Sequence, residues 1–126
     1  MNADARAAPF TFARPDGVPL VAVGCHDPLS ARLVEGFEGF GALYVTGFGL
    51  AASRLGLPDM GFMDRSDFID ALERIRRVTS LPMIVDAEDG YGSATQVVWT
   101  FRELARIGID AAHIEDLQDP LKYRDD

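Results

Sequence analysis

The sequence predicts an α/β protein built on a parallel sheet, and three observations lead there. Apolar runs alternate with amphipathic stretches in the order strand then helix, four times over, with the last helix missing. The runs are close to continuously apolar, as buried parallel strands are. The 126 residues, 48% of them hydrophobic, suffice for one domain with its own core.

The first seventeen residues mix Ala, Arg, Pro and Asp without period and read as a loosely ordered arm. Val18–Gly24 is the first strand. Ser30 then caps a short helix with Leu33, Val34 and Phe37 on one face. The second strand, Ala42–Thr46, runs into Gly47. Residues Phe48–Met63 are rich in Gly and small side chains and read as a long loop with a single helical turn. Ser66 opens a helix from Asp67 to about Val78, with Phe68, Leu72 and Ile75 at helical spacing. Acids stand in its first turn and Arg74, Arg76 and Arg77 near its end, as the macrodipole favours. Leu81–Val85 is the third strand. Ser93 and Gln96 form a capping box for a helix through about Ile107, which Gly108 stops. Asp110–Asp116 is the fourth strand, and Leu117–Asp126 is polar and aperiodic. The units begin near 18, 41, 82 and 110, with right-handed crossovers expected. Strand order stays open, and with it the choice between a barrel segment and a small flavodoxin-like sheet.

Twenty acidic residues against twelve basic ones give a net charge of −8. That balance argues against a nucleic-acid or anionic-membrane partner. A single cysteine offers no disulfide framework and suits a reducing cytosol. No apolar run approaches the roughly 18 residues of a membrane span, and Met1–Pro9 lacks the basic and apolar regions of a leader. The expected location is cytoplasmic.

Ligands of parallel α/β folds meet the carboxyl ends of the strands. Here those ends carry Cys25, His26 and Asp27, then Thr46 and Gly47 with Asp59 in the following loop, then Asp86, Glu88 and Asp89, then His113, Glu115 and Asp116. Asp86 and Glu88 are two apart and share a face if the strand persists that far, and His113 and Glu115 pair likewise. Clustered carboxylates repel one another and call for a cation. An all-oxygen set suits Mg2+, with Mn2+ as the alternative. Zinc is disfavoured, since the two His and one Cys lack ligand spacing.

Blander roles compete at each position. Asp89 and Asp116 suit helix N-caps, His26 and His113 suit satisfied structural histidines, and Cys25 suits an ordinary buried thiol. Trp99, Phe101 and Leu104 suit helix packing. Gly47-Phe-Gly49-Leu-Ala-Ala52 fits a loose dinucleotide-binding pattern, but no immediate helix is expected and the acids about 20 residues on fall inside a helix.

Taken together, these segments resemble the isocitrate lyase/phosphoenolpyruvate mutase superfamily over roughly Val21 to Glu115. The resemblance is carried by Gly24-Cys-His-Asp27-Pro-Leu-Ser30-Ala-Arg32, Tyr44-Val-Thr46-Gly47, Gly56-Leu-Pro-Asp59, Asp86-Ala-Glu88-Asp89-Gly90-Tyr91-Gly92 and His113-Ile-Glu115-Asp116, in the family's order. It implies the first half, about four strands, of a TIM-type (β/α)8 barrel. Residues 1–126 then form one partial barrel domain: an arm over 1–17, βα units over 18–116, and the start of a catalytic loop over 117–126.

The resemblance also implies roles. Asp86 would bind Mg2+ directly, and Glu88, Asp59 and Glu115 would hold the metal's waters, with Glu88 where the family usually has Asp. Tyr44, Thr46 and Gly47 would line the substrate site, Thr46 replacing the usual Ser. Members make or break a C–C or C–P bond beside a 2-oxo acid through a metal-stabilised enolate. The implied substrate is a small 2-oxo or 2-hydroxy acid. The family's mobile loop carries a Cys as acid–base residue, whereas Pro120–Asp126 here holds no Cys, Gly or His. Tyr123 stands in its place, and the catalytic residue stays unassigned. Four parallel strands alone leave two edges and a barrel interior uncovered, so a homo-oligomer or self-associating half-barrel is the competing expectation.

Overall fold

A computed structural model of the chain describes residues 11, 12 and 16–116. The elements run β1 (Ala22–Cys25), α1 (Pro28–Glu35), β2 (Ala42–Val45), α2 (Gly47–Leu55), α3 (Arg65–Arg76), β3 (Met83–Asp86), α4 (Ala94–Ile107) and β4 (Ala111–His113). The strands form one parallel sheet in the order β1-β2-β3-β4. A doubly wound sheet reverses direction at a switch point, so this sequential order removes the flavodoxin-like alternative.

Register divides the sheet into two faces with different chemistry. Val23, Leu43 and Met83 stand in one row, and Cys25, Val45, Val85 and Ala112 in another. Those rows join Ala31 and Val34 of α1, Leu50 of α2, Phe68, Leu72 and Ile75 of α3 and Leu104 of α4 in a single core. All four helices therefore cover the same face, as in a (β/α)8 barrel segment. Gly24, Tyr44, Ile84, Asp86, Ala111 and His113 point the other way and add nothing to that core.

The termini of the elements follow local chemistry, and several differ from the sequence expectation. β1 begins at Ala22, not Val18, because its partner β2 begins opposite it at Ala42. Val18 and Val21 stay exposed, and Leu20 folds over Gly41, where a Cβ would strike its side chain. Asp27, not Ser30, caps α1: its Oδ1 accepts from Ser30 N–H at 2.6 Å, and Ser30 Oγ accepts from Asp27 N–H at 3.2 Å. Pro28 at the first helical position moves the start earlier. The buried face of α1 is Ala31 and Val34, while Leu33 and Phe37 are 57% and 65% exposed.

The largest departure is α2, nine residues of helix where the Gly-rich composition suggested a loop. Thr46 Oγ1 accepts from Gly49 N–H at 2.8 Å to start it, and left-handed Gly56 ends it. α3 starts at Arg65 behind an Asp64 cap and ends at Arg76, slightly earlier than expected at both ends. β4 stops at His113, well short of Asp116. α4 matches expectation closely, with Gln96 Oε1 accepting from Ser93 N–H at 2.7 Å and Gly108 in the left-handed region. Leu104 is buried in the core and Phe101 packs against it. Trp99 is half exposed instead, lining a crevice between α3 and α4 with Ile69.

Candidate active site

The carboxyl end of β3 organises the rim. Asp86 is the last residue of the strand and pairs in register with His113. The alternation expected to carry Asp86 and Glu88 onto one face ends there, because Glu88 adopts a positive φ of 52°. The chain instead turns tightly: Glu88 N–H donates to Asp86 Oδ1 at 3.1 Å, and Gly90 N–H to Ala87 O at 2.8 Å. Tyr91 N–H donates to Asp89 Oδ1 at 2.7 Å, so Asp89 closes this turn and Ser93 caps α4. Gly90 has φ 86°, and a Cβ there would lie 2.7 Å from Val97 Cγ2, which leaves no room for another residue.

Backbone bonds continue past the strands. Ala87 N–H donates to His113 O at 3.0 Å, and Glu115 N–H to Glu88 O at 2.7 Å. They tie the Asp86–Gly92 turn to the segment after β4. Glu115 is thus brought to the rim by its backbone, in an exposed position beyond the strand that was expected to pair it with His113.

The turn sends Glu88 toward the amino end of α2. A Cβ on Gly47 would collide with Glu88 Oε1 and would lie 3.1 Å from Asp59 Oδ2. Two carboxylates from separate loops thus meet over one glycine at the positive end of a helix dipole. Thr46, next to it, caps that helix. The structure therefore gathers Thr46, Gly47, Asp59 and Glu88, with Asp86 and Tyr44 alongside. Tyr123 lies outside the described residues.

The field of these acids falls on two tyrosines. Burial pushes the Tyr44 hydroxyl above its ordinary pKa, and Asp86 and Glu88 add to the rise. Tyr44 Oη lies 3.1 Å from His113 Nδ1. Tyr91 is raised further, first by burial and then by Glu88, Asp86, Asp59 and Asp89. Its hydroxyl is shielded from solvent and has no hydrogen-bond partner among the described residues. Sequence reasoning named Tyr91 only as part of a motif. Its place directly after the acids was the available signal. His113 and Cys25 behave as the blander readings expect, His113 engaged by Tyr44 and the Cys25 thiol pushed up to about 12 by burial, whereas Asp89 closes a turn and is not the cap of α4.

Among the described residues, no three His, Cys, Asp or Glu side chains close on one point as a cage. Mg2+ has different needs, since it keeps several waters and takes one or two carboxylates directly. Convergent carboxylates over Gly47 and an unsatisfied hydroxyl fit such a water-rich cation.

Comparison with known proteins bears on the family and fold of the chain. The family model described as phosphoenolpyruvate phosphomutase matches residues 12–125. The chain is 37% identical over 103 residues to 2,3-dimethylmalate lyase of Eubacterium barkeri, covering 82% of this chain and 35% of that protein. It is 37% identical over 107 residues to 2-methylisocitrate lyase of Shewanella oneidensis, covering 85% and 36% respectively. Phosphonopyruvate hydrolase in complex with oxalate and Mg2+ superposes with a TM-score of 0.74 at 32% identity, over 80% of this chain and 35% of that one. The chain spans about a third of the length of the curated relatives it matches. Since the family model runs through nearly the whole sequence, the chain belongs to the phosphoenolpyruvate phosphomutase family, within the isocitrate lyase/PEP mutase superfamily.

Proposed function

We propose that this chain carries the metal half of a Mg2+-dependent carbon–carbon lyase acting on a small 2-oxo or 2-hydroxy acid. The observation that carries the reading is the meeting of Glu88 and Asp59 over Gly47 at the start of α2. Asp86 is the direct metal ligand, and Glu88, Asp59 and Glu115 hold its waters. When bound, the cation supplies Lewis-acid stabilisation of the negative charge that develops on the oxygen beside the breaking bond. Mn2+ serves the same donor set.

The chain's own residues supply orientation. Thr46 and the backbone N–H groups at the start of α2 receive the substrate's carboxylate, a use that helix amino ends favour. Tyr44, held by His113, lines the same pocket wall. Cleavage of a C–C bond is favoured over C–P chemistry by the lyases among the relatives, and phosphonopyruvate hydrolase keeps the C–P alternative in the same site. A cytoplasmic setting is supported by the lone, buried cysteine.

Titration of the chain with Mg2+ by calorimetry tests the metal assignment. Binding that Asp86→Ala abolishes is expected, and no binding, or binding unchanged in that variant, overturns it. Release of a 2-oxo acid from 2,3-dimethylmalate or 2-methylisocitrate tests the reaction.

A second reading is a catalytically silent half-barrel that self-associates. It is favoured by the exposed apolar residues Leu29 and Leu33 on α1 and Phe37 in the turn after it, beside the edge strand β1. Light scattering decides it: a stable monomer at high concentration counts against this reading.

A further inference from the structure

Tyr91 combines features that its place in the core does not explain. Its ring packs on Phe68 with centroids 5.1 Å apart, a contact that phenylalanine would make equally well. The hydroxyl, by contrast, is buried without a partner among the described residues, and a buried unmatched donor is destabilising. The backbone adds to the cost, because Tyr91 sits at φ 66°, in the left-handed region that bulky side chains avoid. That conformation is held by the Asp89 side chain and by the turn that also presents Glu88. Burial and then the charges of Glu88, Asp86, Asp59 and Asp89 disfavour ionisation of this hydroxyl, so it stays a donor. A buried donor left unused in a turn that also presents Glu88 is suited to a partner that arrives with the ligand.

We propose that Tyr91 is a positioning residue whose Oη–H donates into the carboxylate and water shell that Glu88 and Asp59 hold about a divalent cation. This rests on the metal reading above and adds to it a residue with no other assigned role. Tyr91 touches neither substrate nor cation. It acts by fixing the direction in which Glu88 presents its oxygens, a constraint that a glutamate needs because its extra methylene adds rotational freedom. The shell donor also compensates part of the negative charge gathered at the rim.

Tyr91→Phe tests this with two readouts of opposite sign. Without cation, the variant unfolds at the same or a higher temperature than the parent, since it loses an unmatched hydroxyl and keeps its packing. With Mn2+ followed by electron paramagnetic resonance, its affinity falls about tenfold, the worth of one hydrogen bond to a charged group. Unchanged Mn2+ affinity overturns the inference. A second measurement needs no variant to fold well: in the parent chain labelled with 13Cζ-tyrosine, the Tyr91 resonance moves on addition of Mg2+. A resonance that stays in place while Mg2+ binds also overturns it. If the parent binds Mn2+, Asp86→Ala abolishes binding and Tyr91→Phe leaves it intact, this inference fails alone. If the parent binds neither ion, the metal reading fails with it.

Discussion

Tyr44 and His113 join two strands that are not neighbours: the phenol Oη and imidazole Nδ1 lie 3.1 Å apart, across β3. Tyr44→Phe removes this brace and is expected to lower stability by about 1 kcal/mol, measured by urea unfolding. The Tyr44 pKa is raised by burial and by Asp86 and Glu88. A raised folded value means the contribution is present below the ordinary phenol value of about 10 and lost as pH climbs through the folded one. Parent and variant should therefore converge in stability above pH ~10.

Gly47 is expected to tolerate no side chain while Glu88 holds its place. Gly47→Ala improves intrinsic helix propensity yet drives a methyl into Glu88 Oε1. The overpacking is expected to cost about 1–3 kcal/mol. The double variant Gly47→Ala/Glu88→Ala should recover most of that loss in thermal unfolding. Equal stability of the two variants would show that the crowding is not real.

Asp27 makes α1 acid-sensitive. Ser30 holds its carboxyl below the usual carboxylate range, by backbone and side-chain hydrogen bonds in turn. The depressed folded value places the stabilisation above the ordinary pKa of 3.8, and it is lost as pH falls through the folded value. Asp27→Ala is expected to cost about 1 kcal/mol at pH 7 and progressively less in acid. Asp27→Asn keeps a capping oxygen and should flatten the difference, as read by circular dichroism during urea unfolding at pH 7 and pH ~3.

The exposed apolar residues of α1 and of the turn after it offer a clean separation of folding from association. Leu29, Leu33 and Phe37 are all more than half exposed. Replacing all three with Gln is expected to change unfolding free energy by about 0.5 kcal/mol per site or less. The same change should reduce light-scattering mass if the chain self-associates through this surface.

The parts of the fold legible in sequence are those where one residue type has one physical use. α4 is framed by Ser93, Gln96 and Gly108, and its bounds come out as expected. α2 was hidden because Gly47 and Gly49 lower helix propensity, while Thr46, its actual start, reads as the end of a strand and Gly56, its stop, as one more loop glycine. The loose dinucleotide-like pattern at Gly47 does open a helix, contrary to expectation, though the carboxylate it meets comes from Glu88 in another unit. The acids of the rim were legible from their strand-end positions. Their mutual geometry was not, because the period of a strand says nothing once Glu88 enters the left-handed region. Tyr91 escaped notice for the same reason, as an unmatched hydroxyl is a property of packing.

The one-sided arrangement of the helices has a bearing on how such a chain changes over generations. Cohesion resides on the surface that faces α1 to α4, through Leu43, Val45, Phe68 and Leu72. Gly24, Tyr44, Asp86 and His113 stand on the opposite surface and contribute nothing to that cohesion. Apart from the Tyr44–His113 brace, substitutions there leave the helix-facing core untouched. Such a sheet can change the residues of one face while the scaffold built on the other persists.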